Sequence, residues 1–176
     1  MGKVILYAAT SLDGYIADKD GGVNWLEAFN EEGLDYGYGA FYASLETLIM
    51  GGKTYRQIIG FGAWPYPGVR TYVVTSQEVH PAEGEDVRAY QDDLTELVAK
   101  LKESSPKDIW LVGGGELNAT FFEKDLIDLY MISVMPVMLG DGIPLVKGVD
   151  KLTALELIDS EVYPNGVVQL GYKKNN

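Results

Sequence analysis

The chain has 176 residues, 47% of them hydrophobic, and a formal net charge of −12 at pH 7. This length suits one folded domain, and so acidic a chain is a poor partner for nucleic acid or for anionic membranes. The chain contains no cysteine and one histidine, His80, so it can build neither a disulfide framework nor a thiolate metal site, and we expect no metal.

The first predicted element is a central strand, because Lys3–Thr10 is an almost continuous apolar run. Its apolar part, Val4–Ala9, is too short for a secretory signal, and no run approaches the ~20 apolar residues of a membrane span. We therefore expect a cytoplasmic protein. The turn Ser11–Gly14 follows, in which Asp13 either forms an Asx turn or contacts a ligand over the strand end.

An aromatic stretch opens at Val23–Leu26 and leads into a helix predicted over residues 34–45. Spacings of three and four place five apolar side chains on one helical face: Leu34, Tyr38, Phe41, Tyr42 and Leu45. Gly37 and Gly39 each cost about 1 kcal/mol relative to alanine within a helix. We expect such a glycine-rich helix to lie close to the sheet or to a flat ligand.

A strand, a glycine turn and a helix follow at Thr47–Met50 and Gly51–Ile59. The segment is not a P-loop, because Thr47 stands where that motif requires glycine. Lys53 lies at the helix start, where the helix dipole opposes a positive charge by about 0.3–1 kcal/mol. A phosphate bound by backbone N–H groups, Lys53 and the Thr54 hydroxyl would remove this conflict; the alternative is a solvated surface lysine.

The third predicted strand, Thr71–Thr75, ends in polar residues, Ser76 and Gln77. Hydroxyls at the carboxyl end of such a strand either contact a ligand or cap the next turn. His80 follows in a polar loop, where we expect a surface residue without a role. Gln91–Ser104 has the pattern of an amphipathic helix that only packs.

A second strand, glycine turn and helix are predicted at Ile109–Val112, Gly113–Gly115 and Glu116–Glu123. Free N–H groups at the helix start can hold an anion, most often a phosphate. Alone, this junction favours a plain tight turn that packs a helix on a sheet over a ligand site. Two such junctions and the Thr75–Gln77 strand end together favour one extended phosphate-bearing ligand such as a dinucleotide.

The last part of the chain is predicted to be mainly strands. Leu126–Met135 forms one strand, and Leu152–Val162 and Gly166–Tyr172 form a hairpin, because Asn-Gly at 165–166 is a strong hairpin signal. The chain thus belongs to the α/β class, with alternating strands and helices and then closing antiparallel strands.

Five segments in order resemble the dihydrofolate reductase fold family, and most of all the reductase domain of bacterial riboflavin-biosynthesis deaminase-reductases and related small reductases: Ala8–Ile16, Leu48–Tyr55, Val74–Gln77, Leu111–Leu117 and Leu129–Ile132. The resemblance implies a single three-layer domain over residues 1–176, with a mostly parallel sheet, helices on both faces and a C-terminal antiparallel hairpin. It also implies extended NADPH and a homodimer.

The resemblance assigns the cofactor to a defined set of residues. Ala9 and Ile16 would flank the nicotinamide. The other predicted cofactor residues would hold the pyrophosphate, the adenosine and its 2′-phosphate: Gly51, Gly52, Lys53, Thr54, Thr75, Ser76, Gln77, Val112, Gly114, Gly115, Glu116 and Leu117. Hydride would pass from nicotinamide C4 to a C=N or C=O carbon of a small heterocyclic or ribosylaminopyrimidine-type substrate.

The resemblance assigns the substrate-binding residues less definitely than the cofactor-binding ones. Asp35 stands nearest to the acid that binds pterin in dihydrofolate reductases, although Tyr36 could take that place, and Asp35 could be only an exposed acid in the first helical turn. Asp13 and Trp25 are further candidates for contact with substrate. Dihydrofolate reductases carry Arg where Gly52 stands, and that Arg holds the 2′-phosphate of NADPH. Because it is absent here, NADH is kept as an alternative cofactor.

Three functions therefore remain open. The first is an NADPH-dependent reductase resembling 5-amino-6-(5-phosphoribosylamino)uracil reductase, with dihydrofolate reductase activity as its alternative. The second is a nucleotide- or flavin-binding module without turnover. The third is a purely structural domain.

Overall fold

The computed structural model describes residues 2–81 and 83–175, and its centre is an eight-stranded sheet. The strands, in their order across the sheet, are β5 (Val87–Tyr90), β4 (Arg70–Val74), β3 (Leu45–Gly51), β6 (Asp108–Gly113), β1 (Val4–Ser11), β7 (Leu129–Met135), β10 (Val168–Lys174) and β9 (Leu155–Val162). The first six strands in this order, β5, β4, β3, β6, β1 and β7, run parallel to one another. Strand β10 is antiparallel to β7, and β9 is antiparallel to β10. A small separate ladder joins β2 (Tyr15–Ala17) to β8 (Ile143–Pro144).

Helices cover both faces of this sheet. They are α1 (Tyr38–Ser44), α2 (Gly52–Gly60), α3 (Leu94–Ser104) and α4 (Gly115–Glu123), and a 3-10 helix spans Asn24–Phe29. Apolar residues of α3 and α4 pack into one buried cluster, whereas those of α1 and α2 pack into another around Trp110. The predicted three-layer architecture, with its mostly parallel sheet and its C-terminal hairpin, is confirmed.

The helix predicted over 34–45 is wrong at its start, because α1 begins only at Tyr38. Tyr36 and Gly37 both have positive φ, at 53° and 74°, which an α-helix does not accept. The carboxylate of Asp35 accepts the N–H groups of Gly37 and Gly39, both at 3.0 Å, and so tightens the turn before the helix. The glycines mark the helix start.

The helix predicted over Gln91–Ser104 also begins later, at Leu94. Asp93 is its N-cap, and its carboxylate accepts the N–H groups of Thr95 and Glu96 at 2.7 and 3.1 Å. These backbone hydrogen bonds are the main reason that the pKa of Asp93 falls to about 2.

The predicted strand from Leu126 begins at Leu129, and the short strands β2, β5 and β8 were not predicted.

Candidate active site

The two glycine junctions lie side by side, because β3 and β6 are parallel neighbours in the sheet. The N-termini of α2 and α4 therefore meet at the carboxyl ends of these two strands, where the N–H of Gly114 donates to the Thr54 hydroxyl at 3.0 Å. Neither helix start has a side-chain cap. Backbone N–H groups at both starts are thus available to an anion.

A cleft of about 930 Å³ runs along the carboxyl ends of the central strands. Every residue predicted to bind the cofactor lines it: Ala9, Ile16, Gly51, Gly52, Lys53, Thr54, Thr75, Ser76, Gln77, Val112, Gly114, Gly115, Glu116 and Leu117. The lining residues that were missed include Tyr7, Arg56, Asn118 and Lys147. Of these, only Arg56 had a signal, since it follows Gly52 by four positions and so shares its helical face.

Charges gather where the two helices start. The Glu116 carboxylate lies 3.0 Å from the Lys147 ammonium and 3.7 Å from that of Lys53. The hydrogen bond from Lys147, with the charge of Lys53 next, lowers the pKa of Glu116, which is therefore ionised at neutral pH. Two lysines from distant parts of the chain thus converge on one point in an otherwise acidic protein.

The segment 143–147 forms a wall of the cleft and is held against α4. Fully buried Asn118 donates from Nδ2 to the carbonyl of Leu145 at 2.8 Å, and the N–H of Lys147 donates to the carbonyl of Gly115 at 3.1 Å. A Cβ on Gly115 would overlap the carbonyl oxygen of Pro144, so only glycine allows this approach. Asn118 Oδ1 has no hydrogen-bond partner among the described residues.

A second cavity of about 300 Å³ adjoins the cleft, with which it shares Tyr7 and Ala9. Its other lining residues are Asn30, Leu34, Asp35, Tyr36, Tyr38, Ser133 and Met135. Buried Gln169 lies behind its polar side, where its Nε2 lies 3.1 Å from both the Ser133 hydroxyl and the Tyr36 carbonyl, and 3.4 Å from the Tyr7 hydroxyl. The cleft and the cavity therefore meet at a buried polar cluster.

Tyr7 stands at this junction in a fixed orientation. Its ring stacks on Phe41, with centroids 4.2 Å apart, and meets Trp110 edge-on at 6.0 Å. Burial raises the pKa of the Tyr7 phenol, an effect that the Gln169 hydrogen bond partly offsets. The hydroxyl therefore keeps its proton at neutral pH, and in this structure it donates to the Tyr36 carbonyl at 3.3 Å.

The predicted substrate residues have different positions. Asp35 and Tyr36 line the second cavity, but Asp35 is exposed and its carboxylate is engaged by the turn before α1. Asp13 lies in neither cavity: it accepts the N–H groups of Leu139 and Gly140 at 3.1 and 2.7 Å, a turn-holding role instead of a ligand contact.

Trp25 also lies outside both cavities. It is half-buried and packs in the apolar cluster around Phe29 and Met135, because the 3-10 helix turns it toward that cluster. Within residues 2–81 and 83–175, no group of three or more His, Cys, Asp or Glu side chains has a metal-binding arrangement. None of the helices formed by these residues has the length and apolar character needed to cross a membrane.

Comparison with known proteins connects this geometry to a family. The model of the RibD C-terminal domain matches residues 67–169. The chain belongs to the RibD C-terminal domain family. Protein YwjB of Bacillus subtilis, itself uncharacterized, is 37% identical over 171 residues, which is 97% of each chain.

Solved structures agree with this membership. A Shewanella protein ascribed to riboflavin biosynthesis superposes with a TM-score of 0.88 at 30% identity, over 99% of both chains. The Thermotoga maritima deaminase and 5-amino-6-(5-phosphoribosylamino)uracil reductase gives 0.70 at 16%, over 99% of this chain and 57% of its own. Enterococcus faecalis dihydrofolate reductase, solved with NADP(H), gives 0.68 at 20%, over 99% and 98%. The chain is an oxidoreductase of the reductase-domain family, with a dihydrofolate reductase-like fold.

Proposed function

We propose that the protein is an NADPH-dependent reductase, which transfers hydride to a small ribosylaminopyrimidine-type substrate. One observation carries the proposal: the cleft at the two helix N-termini opens, at Tyr7 and Ala9, into a second cavity with a buried polar side. A hydride donor and its acceptor must be held in contact, and these adjoining spaces offer one place for each.

The cleft suits an extended dinucleotide. The N-termini of α2 and α4, the Thr54 hydroxyl and the ammonium groups of Lys53 and Lys147 offer donors for a pyrophosphate. Gly52 and Gly115 leave room for close approach of other groups. The unpartnered Asn118 Oδ1 adds a buried acceptor in the cleft wall.

Residues of the chain prepare the site for hydride transfer. NADPH, when bound, supplies the hydride. Ala9 lets a flat ring lie against β1, and Ile16 and Ala17 line the same end of the cleft and exclude water. The Tyr7 hydroxyl, protonated because burial raises its pKa, would turn from the Tyr36 carbonyl, to which it donates at 3.3 Å, and donate instead to a substrate in the adjoining cavity. Gln169 donates to that hydroxyl and to the hydroxyl of Ser133, which offers a further polar atom in the cavity wall.

A pyrimidine fits this cavity better than a pterin does. Pterin binding in dihydrofolate reductases uses a carboxylate, and the carboxylate in this wall, Asp35, is exposed and already accepts two backbone N–H groups. A neutral set of amide and hydroxyl groups suits a neutral pyrimidine with alternating donors and acceptors. The engaged Asp35 also favours, as second candidate, a nucleotide-binding module without turnover.

A two-stage measurement tests the proposal. Purified protein is titrated with NADPH and with NADH, and binding is followed by protein fluorescence. Oxidation of NADPH is then measured with the ribosylaminopyrimidine and with dihydrofolate. Turnover of the pyrimidine alone supports the proposal, and turnover of dihydrofolate instead would show a dihydrofolate reductase. Tight NADPH binding without turnover of either would favour the non-catalytic module.

The same proposal includes a homodimer in the cytoplasm. Strand β9 is one of the two edge strands of the sheet. All eight of its residues are exposed, and four of them are large and apolar: Leu155, Leu157, Ile158 and Val162. An unpaired edge of this kind is suited to association with a second copy. Light scattering of the wild type and of Ile158→Lys tests this, and a monomeric wild type would contradict it.

A further inference from the structure

Arg56 lies at the end of the cleft formed by α2 and the carboxyl end of β4. It follows Gly52 by one helical turn, and its Nη1 would be 3.2 Å from a Cβ built on Gly52. Nη1 donates to the Oε1 of Gln77 at 2.7 Å, and the same imagined Cβ would be 2.8 Å from the hydroxyl of Thr75. The guanidinium therefore occupies the space left by the missing side chain of Gly52.

This guanidinium differs from the two other arginines of the chain. Arg70 and Arg88 both pair with Asp86, at 2.9 and 2.6 Å. Within the described part of the chain, no carboxylate lies within 4.0 Å of Arg56, although the chain carries 26 acidic residues. Among the residues that the structure describes, the Arg56 side chain donates only to a neutral amide, so most of its five N–H donors remain available in the cleft.

The direction of the ligand follows from the proposed function, on which this inference rests. The nicotinamide must lie at Ala9, beside the second cavity, and the pyrophosphate at the two helix N-termini. The adenosine end then extends toward Thr75, Gln77 and Arg56. NADPH differs from NADH only by a phosphate on the adenosine ribose, and a guanidinium fork suits a phosphate.

We infer that Arg56 binds the 2′-phosphate of the cofactor and makes the protein prefer NADPH to NADH. Gly52 favours this, because a Cβ at that position would crowd the Thr75 hydroxyl at 2.8 Å and the guanidinium at 3.2 Å. The cation that the sequence lacks at position 52 is thus supplied from position 56.

Binding measurements with four ligands test the inference without turnover. Wild type, Arg56→Ala and Arg56→Lys are titrated by calorimetry with NADPH, NADH, 2′,5′-ADP and 5′-AMP. Loss of charge-assisted hydrogen bonds to a phosphate should weaken NADPH and 2′,5′-ADP about ten- to a hundredfold in Arg56→Ala. NADH and 5′-AMP should bind that variant as they bind the wild type. Arg56→Lys should fall between, because it keeps the charge and loses the fork.

Two further variants separate the proposed role from general effects of charge. Arg88→Gln removes an exposed guanidinium that is paired with Asp86, and it should leave all four affinities unchanged. Gly52→Ala keeps every charge but displaces Arg56, so it should reduce the preference for NADPH.

The outcomes distinguish this inference from the function on which it rests. Equal binding of NADPH and NADH by the wild type would overturn the inference and leave the reductase standing. An equal loss of both dinucleotides in Arg56→Ala would also overturn it, because Arg56 would then act only as a general cation. A wild type that binds neither dinucleotide would overturn both.

Discussion

Removal of either lysine near the α2 and α4 N-termini should weaken dinucleotide binding by an amount that its exposure sets. Lys53 lies in the first turn of α2, and Lys147 comes from the segment after β8. Both face Glu116, at 3.7 and 3.0 Å, where the helix N-termini favour an anion. A bound pyrophosphate would meet both ammonium groups there.

The magnitude follows from the exposure of each side chain. Two unit charges 4 Å apart attract by about 1 kcal/mol in water and about 4 kcal/mol at the effective dielectric of a protein surface. The Lys53 side chain is 83% exposed and that of Lys147 is 55% exposed. We therefore expect Lys53→Ala to raise the Kd for NADPH about fivefold, and Lys147→Ala about tenfold.

Calorimetric titration with NADPH at low and at moderate salt checks both numbers. The two effects should shrink as salt screens exposed charges. Lys100→Ala is the matched control, because Lys100 pairs with Glu96 on α3 and does not line the cleft. Wild-type affinity in both cleft variants would refute the anion site, and losses that do not change with salt would refute the electrostatic explanation.

Three other substitutions have expected outcomes. Gly114→Val should weaken NADPH binding at least tenfold by covering backbone N–H groups. Titration checks this, and thermal unfolding checks that the variant folds, since the structure shows room only for a Cβ, whose nearest atom would be 3.4 Å away. Tyr7→Phe keeps the stack on Phe41 and should lower kcat about a hundredfold without changing the Kd of NADPH, and an unchanged kcat in steady-state assays would exclude the donor role. The pKa of Asp93 is about 2 in the folded protein, below its value of about 4 when unfolded, so its contribution to stability is present above pH ~4 and lost as pH falls toward ~2. Asp93→Asn should therefore lose less stability than the wild type over this range in urea titrations.

The cleft at the two glycine junctions was predictable because its signals are local. A buried strand, glycines without Cβ and an amphipathic helix are each visible in about ten residues, and the pattern occurs twice. That β3 and β6 are neighbours is not local information, since more than fifty residues separate them. The resemblance to a known fold supplied this pairing, and with it the single cleft.

The second cavity was not predictable in the same way. Its polar side is built from Tyr7, Ser133 and Gln169, which lie on β1, β7 and β10 and belong to no common motif. Only strand register places Gln169 opposite Ser133. Asp35 was expected to be the acid of this cavity because of its place in the chain. In the structure Gly37 has positive φ, and the carboxylate of Asp35 accepts the backbone N–H of Gly37.

Gly52 and Arg56 show why a binding group can be present when its motif position is empty. Positions four apart lie on the same face of a helix, so a long side chain at 56 reaches the space above residue 52. A side chain at position 52 would crowd this arrangement, since an imagined Cβ there would lie 2.8 Å from the Thr75 hydroxyl and 3.2 Å from Nη1 of Arg56. The glycine and the arginine therefore act as a pair, and substituting either one alone should lower the preference for NADPH. A relative with a long side chain at 52 would need its cation there, and its residue at 56 would be free to change.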